Sequence, residues 1–188
     1  MLVGLTGGIA SGKSTALRAF ARLGVPTLSS DAVVHELYRT PEVRDRVVAE
    51  LGSGVLGPDG EIDRSRVAAL AFGDAAVLRR LEQLLHPLVG RALDRWSTAE
   101  ADRGARLLVH EVPLLFEAGL QDRYDATVLV TAPDDVRAAR DPDRFAERRS
   151  SQMPEESKAR LATYVYVNTG TPEELEGWVA DLVRRLTA

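Results

Sequence analysis

Residues 7 to 14 read Gly-Gly-Ile-Ala-Ser-Gly-Lys-Ser, a complete G-x-x-x-x-G-K-S loop just after the apolar run Leu2-Val3-Gly4-Leu5. The order of apolar run, glycine-rich turn and helix-forming Ser14-Thr15-Ala16-Leu17-Arg18-Ala19-Phe20 requires a strand feeding a helix through a tight loop. Glycines at 7, 8 and 12 open backbone conformations closed to other residues, so successive N–H groups can turn inward around an anion. A helix beginning near Lys13 points its positive dipole end at the same place. Lys13 is expected on the β- and γ-phosphates of a nucleoside triphosphate, and Ser14 on Mg²⁺.

The rest of the chain must supply a fold around that loop. Apolar runs at 26–28, 106–112, 126–130 and 164–167 alternate with segments of helical period. Near-continuous apolar strands separated by helices require a parallel sheet covered on both faces. The expected fold class is therefore α/β: a three-layer P-loop kinase fold, with a five-stranded parallel sheet and helices on both faces. At 188 residues there is room for one such domain with a small insertion. Residues from about 31 to 104 exceed any crossover helix and read as several helices. Pro41 is expected to start one, Asp63 and Asp74 to cap others, and Gly52-Ser53-Gly54 with Gly57-Pro58-Asp59-Gly60 to form turns. In a small kinase such an insertion builds the acceptor side of the cleft; a purely structural helical cap is the other reading.

Composition excludes some classes. With 24 Lys and Arg against 28 Asp and Glu, the formal net charge is −4, which argues against a nucleic-acid scaffold. The absence of cysteine removes disulfides, thiolate metal sites and cysteine nucleophiles. No apolar stretch approaches a membrane span and no leader precedes the first strand, so a cytoplasmic protein without membrane partners is expected.

Several side chains are candidates for chemistry. Asp31 follows the second strand, where ligands of an open sheet gather, and can take or orient the proton of an attacking hydroxyl; a helix cap explains it equally. Glu111 ends the strongest apolar strand and can hold Mg²⁺ through water. In Pro113-Leu114-Leu115-Phe116-Glu117 the apolar residues suit a core. His86 precedes Pro87, which marks a helix junction. A buried, hydrogen-bonded histidine is the simpler account of His86; one that touches substrate is the sharper. Arg140, after the helix started by Pro133 and Asp134, suits bidentate phosphate contacts, whereas Arg148 and Arg149 read as a solvated face. Val167-Asn168-Thr169-Gly170 ends the last strand, either bordering adenine or entering the helix capped at Thr171.

In combination, Leu5 to Thr15, Ser30-Asp31-Ala32, Leu85-His86-Pro87-Leu88, Val112 to Glu117 and Val167 to Gly170 resemble the dephospho-CoA kinase family over essentially the whole chain. The resemblance implies ATP- and Mg²⁺-dependent phosphorylation of the ribose 3′-hydroxyl of dephospho-CoA, an alcohol-accepting phosphotransfer that ends coenzyme A synthesis. It implies Asp31, Lys13 and Arg140 as catalytic residues, with ATP on Gly8, Ala10, Ser11, Gly12, Lys13, Ser14, Thr15, Asn168 and Gly170. The acceptor falls to Thr6, Asp31, His86, Leu114 and Glu117, Mg²⁺ to Ser14 with Glu111 through water, and residues from about 140 to 152 to a lid. A monomer or weak homo-oligomer is expected. Ser29 stands where the family commonly has a second acid, Glu111 where Asp is frequent, Thr163 and Val167 where Asp is often found, and the lid is short. Those departures keep two other readings open: a paralogous kinase with another nucleotide-like or small hydroxyl acceptor, and a non-catalytic nucleotide-binding regulator.

Overall fold

The structure is a computed structural model that describes residues 1–143, 145 and 153–188. Arg148, Arg149 and most of the expected lid lie outside the described residues. The chain divides into two compact units, Met1–Ser29 with Ser97–Ala188, and Ser30–Trp96.

The first unit holds a five-stranded parallel sheet: β1 (Leu2–Thr6), β2 (Thr27–Ser29), β3 (Leu108–Glu111), β4 (Ala126–Thr131) and β5 (Tyr164–Val167), in the order β2-β3-β1-β4-β5. Burial follows from position in that order. β3 and β4 are buried at every residue, while β5, at an edge, alternates half-buried with exposed. Fully buried strands need apolar residues on both faces, which is why the central runs are so continuous.

One face is covered by α1 (Lys13–Arg22) and α8 (Pro172–Thr187). Ala16, Ala19 and Phe20 from α1 and Leu175, Val179 and Leu182 from α8 close a core over Val3, Leu5, Val109, Val128 and Val130. Their three- and four-residue spacings put each set on one helix face. On the other face of β1, a Cβ at Gly4 would fall 2.6 Å from Leu115 and 2.9 Å from the Tyr124 ring. A side chain there would displace both. Among the described residues, two further helices, α6 (Asp134–Arg140) and α7 (Glu155–Leu161), lie between β4 and β5 in sequence. The Thr171 hydroxyl and Glu174 carboxylate cap α8 reciprocally, as the Thr171 start predicts.

The second unit contains α2 (Ser30–Tyr38), α3 (Pro41–Leu51), α4 (Arg64–Gly73) and most of α5 (Ala75–Asp102). Asp63 accepts from the Ser65 and Arg66 amides and Asp74 from those of Ala76 and Val77, so both expected caps form. The glycine turns also form, with Ser53–Val55 as a 3₁₀ turn and Gly60 at φ 76°. Tyr38, Val43, Val47, Val55 and Val67 pack with Leu84 and Leu85 in a separate core.

Pro87 does not end a helix. It sits inside the 28-residue α5, with His86 exposed beside it, so neither a junction nor a buried histidine is found. Leu81, Leu84, Leu85 and Leu88 hold one face of α5 in the core. Pro87 lies on the exposed side, where the Gln83 carbonyl it leaves without an amide partner can be solvated. Packing of the leucine stripe outweighs a local preference that acts only through residue 86.

Candidate functional site: a phosphate loop buttressed by arginine and asparagine

The loop after β1 closes as its glycine spacing requires. Gly12 has φ 107° and is the N-cap residue of α1, whose first turn contains no acidic side chain and no side-chain cap. Its N-terminal amides are therefore available to an anion. Ala10 has φ 57°, the only positive φ outside glycine among the described residues. A strained alanine in such a loop is the kind of local cost found where ligands bind. Gly7 and Gly12 have positive φ but Gly8 does not, so the reason for glycine at position 8 is different from the one expected. The Lys13 ammonium donates to the Gly8 carbonyl at 3.1 Å, folding back across the loop. Ser14 is exposed, and the Thr15 hydroxyl accepts from Arg18 at 3.2 Å. Ser11 is fully buried, and its Oγ has no hydrogen-bond partner among the described residues.

Two side chains from distant sequence hold this loop. Arg140, the last residue of α6, donates to the Ala10 carbonyl at 3.3 Å and the Asn168 carbonyl at 3.1 Å. Asn168, 5 % exposed just after β5, donates from Nδ2 to the Ser11 carbonyl at 2.8 Å. Its backbone N–H donates to Thr131 at 2.6 Å. A Cβ on Gly12 would collide with that Nδ2. Gly12 thus serves both the left-handed turn and the close approach of Asn168. Gly170 lies beside the Glu174 carboxylate of the capping box.

At the adjacent strand ends, Glu111 is buried and accepts from the Ser29 hydroxyl at 2.8 Å. The two residues are direct partners in the β2–β3 ladder. Thr6, fully buried at the end of β1, donates from its hydroxyl to the Pro113 carbonyl at 3.3 Å. Leu114 is exposed while Leu115 and Phe116 are buried, dividing the apolar segment between surface and core. Glu117 accepts from the Met153 amide at 3.0 Å and pairs with the fully buried Lys158 at 2.9 Å.

Asp31 and His86 belong to the second unit. Asp31 is exposed in the first turn of α2, which starts at Ser30 directly after β2, so it lies inside the helix rather than capping it. Its carboxylate has no partner among the described residues.

Arg137, Glu155 and Lys158 escaped the reading of sequence. Arg137 and Lys158 are buried, and Glu155 links both to Thr131 through hydrogen-bond and ion-pair contacts. Charged residues on short helices otherwise read as solvent-facing. The one local signal was the concentration of arginines beginning at Arg137.

Thr163 forms a reciprocal clasp with Thr127. Its Oγ1 accepts from the Thr127 amide at 3.0 Å, and its own amide donates to Thr127 Oγ1 at 3.0 Å. The clasp ties β4 to the start of β5 without a charge.

Comparison with known proteins shows which family has this sequence and fold. The family model for dephospho-CoA kinase matches residues 1–174. A relative from Mesorhizobium japonicum named dephospho-CoA kinase is 38 % identical over 90 % of this chain and 88 % of its own. A Thermus thermophilus crystal structure is similar at TM-score 0.81 and 36 % identity, covering 100 % of this chain and 98 % of that one. The dephospho-CoA kinase of Campylobacter jejuni shares the fold at TM-score 0.71 and 21 % identity, over 98 % and 96 % of the two chains. The glycine loop with its arginine and asparagine supports therefore sits in a sequence and a parallel sheet of one kind, and the chain belongs to the dephospho-CoA kinase family.

Proposed function

We propose that this protein transfers the γ-phosphoryl group of ATP to the ribose 3′-hydroxyl of dephospho-CoA, giving coenzyme A and ADP. One observation carries the reading within the site: Arg140 and Asn168 brace a loop that presents Lys13 and the N-terminus of α1 to a polyphosphate. Uncapped helix amides beside a lysine fit a triphosphate, since both are donors seeking anionic oxygens.

Gly8, Ala10, Ser11, Gly12, Lys13, Ser14 and Thr15 form the phosphate cradle, with Asn168 and Gly170 bordering the adenine. Mg²⁺ would be held by the Ser14 hydroxyl and, through water, by Glu111; when bound it offsets charge between the β- and γ-phosphates. Asp31 accepts or aligns the proton of the 3′-hydroxyl as that oxygen attacks phosphorus and the bond to the ADP oxygen breaks. Its uncommitted carboxylate suits the role, because no ion pair must be broken first. Lys13 and Arg140 draw charge from the transferring phosphoryl group. Thr6, His86, Leu114 and Glu117 would contact the acceptor. Catalysis is then mainly placement and charge stabilisation, as phosphoryl transfer requires. The protein acts on this small molecule in the cytoplasm.

The test is a coupled assay of ADP release with Mg-ATP across dephospho-CoA, adenosine, nucleoside monophosphates and pantetheine compounds, with coenzyme A identified by mass. Turnover confined to dephospho-CoA is expected. Turnover confined to another acceptor would identify a paralogous kinase, and ATP binding without any product a regulator; either result overturns the proposal.

A further inference from the structure

Beside the phosphate loop lies a set of charges, buried or nearly so, of which the proposed chemistry uses only Glu117. Lys158 is fully buried, with its ammonium 2.9 Å from Glu117 Oε1 and 3.3 Å from Glu155 Oε1. Glu155 accepts from the Thr131 hydroxyl at 2.6 Å and lies 3.7 Å from the Arg137 guanidinium. Arg137, 6 % exposed, pairs with Asp134 at 2.6 Å and stacks 5.1 Å from the centre of the Phe145 ring. Desolvating such groups commonly costs as much as their attraction returns, so a gain in stability is a weak reason for them.

What they touch supplies a better one. A Cβ placed on Gly8 would collide with the Arg137 guanidinium and stand 2.7 Å from Glu155 Oε1. The tip of an arginine normally swings away from such a contact, but this one is held by two carboxylates and an aromatic face. Gly8 is thus fixed by contact rather than by a left-handed φ. The same peptide accepts from Lys13 at 3.1 Å and from the Ser11 amide at 3.4 Å. Rotation of this peptide therefore moves the groups that would meet the phosphates.

We propose that Glu155 and Arg137 are positioning residues for the nucleotide: their ion pair is a rigid floor under Gly8 that sets the phosphate loop for ATP. The proposal rests on the reading of this loop as the ATP site. Glu155 locks the guanidinium in place, and the guanidinium keeps the Glu155 charge from facing the phosphates bare. Lys158 balances the same carboxylate from the other side.

The experiment measures ATP dissociation constants by fluorescence titration with a labelled ATP analogue displaced by ATP, alongside thermal unfolding and the KM for dephospho-CoA. Glu155→Gln is expected to weaken ATP by about tenfold, equivalent to about 1.4 kcal/mol, with the acceptor KM within about twofold; Glu155→Asp should recover part of the loss. Gly8→Ala should weaken ATP by roughly thirtyfold in the parent but only a few-fold in Arg137→Ala, where the methyl has room. A folded Glu155→Gln protein with parental ATP affinity, or Gly8 and Arg137 losses that simply multiply, overturns the proposal. A fall in melting temperature alone does the same, because it marks a purely structural cluster. If the parent protein fails to bind ATP, the ATP-site reading falls first and the positioning role with it.

Discussion

The Ser29 hydroxyl donates to Glu111 Oε2 at 2.8 Å across the last rung of the β2–β3 ladder. The hydroxyl supplies a neutral donor to one oxygen of the buried carboxylate. Ser29→Asp would place two carboxylates at hydrogen-bond distance, and like charges so close resist joint ionisation. The metal-free variant is expected to lose about 1–3 kcal/mol, and millimolar MgCl₂ should recover part of that while barely moving the parent. Thermal unfolding with and without Mg²⁺ checks this. A variant as stable as the parent, or one indifferent to Mg²⁺, would remove Glu111 from the metal site.

Asp31 tests the chemical step by itself. Asp31→Asn keeps the size of the side chain and removes its capacity to take a proton. Turnover is expected to fall by about 10²- to 10⁴-fold, with ATP affinity within about twofold. Single-turnover product formation and nucleotide titration measure the two quantities separately. Near-parental turnover would take Asp31 out of the mechanism.

Arg140 spans two carbonyls, those of Ala10 and Asn168, with two different guanidinium nitrogens. A lysine keeps the charge but has one nitrogen and cannot reproduce a planar fork. Arg140→Ala should lower kcat by about 10²- to 10³-fold, and Arg140→Lys should regain less than a tenth of the loss. Steady-state kinetics under saturating ATP decide the matter. Full rescue by lysine would mean that charge alone, not the bridge, matters at this position.

The parts legible in sequence were those set by local rules. The G-x-x-x-x-G-K-S spacing specified a strand, a turn and a helix starting at Lys13, because glycine geometry and helix amides act over a few residues. Asp63, Asp74 and Thr171 announced their helices for the same reason. Pro87 misled because its effect on residue 86 is local, whereas the leucine stripe that keeps α5 continuous gains its energy from packing. Arg137, Glu155 and Lys158 were invisible as a group because sequence spacing does not say which charges the chain will bury together. For Asn168 the sequence suggests only a place at the end of the last strand, and not its side-chain grip on Ser11, 157 positions away.

His110 couples the core of the sheet to pH. It is 3 % exposed and its Nδ1 lies 2.7 Å from the Tyr124 hydroxyl. Burial, reinforced by the positive charge of Arg123, lowers its pKa from 6.5 to about 4, while burial pushes Tyr124 upward. Between those two values the unfolded chain binds a proton that the folded protein refuses. Stability from this group is therefore complete above pH 6.5 and lost as pH falls toward 4, by up to about 3 kcal/mol. Urea unfolding from pH 7 to 4 should show the decline, and His110→Gln should flatten it. An unchanged slope in that variant would assign the acid sensitivity to the carboxylates instead.

Asn168 should prove the least replaceable support of the loop. Its Nδ2 fills the space a Cβ on Gly12 would need and satisfies the Ser11 carbonyl, while its own carbonyl receives Arg140. Asn168→Ala removes a buried donor and leaves the Ser11 acceptor unpaired, at a cost of about 1–3 kcal/mol. Asn168→Asp is expected to be worse, because a carboxylate oxygen would then face that carbonyl and add negative charge where phosphates must approach. Nucleotide titration should rank the affinities parent, then Ala, then Asp, with melting temperatures in the same order. If the alanine and aspartate variants bind ATP equally well, the amide is a packing element only, and Arg140 alone orients the loop.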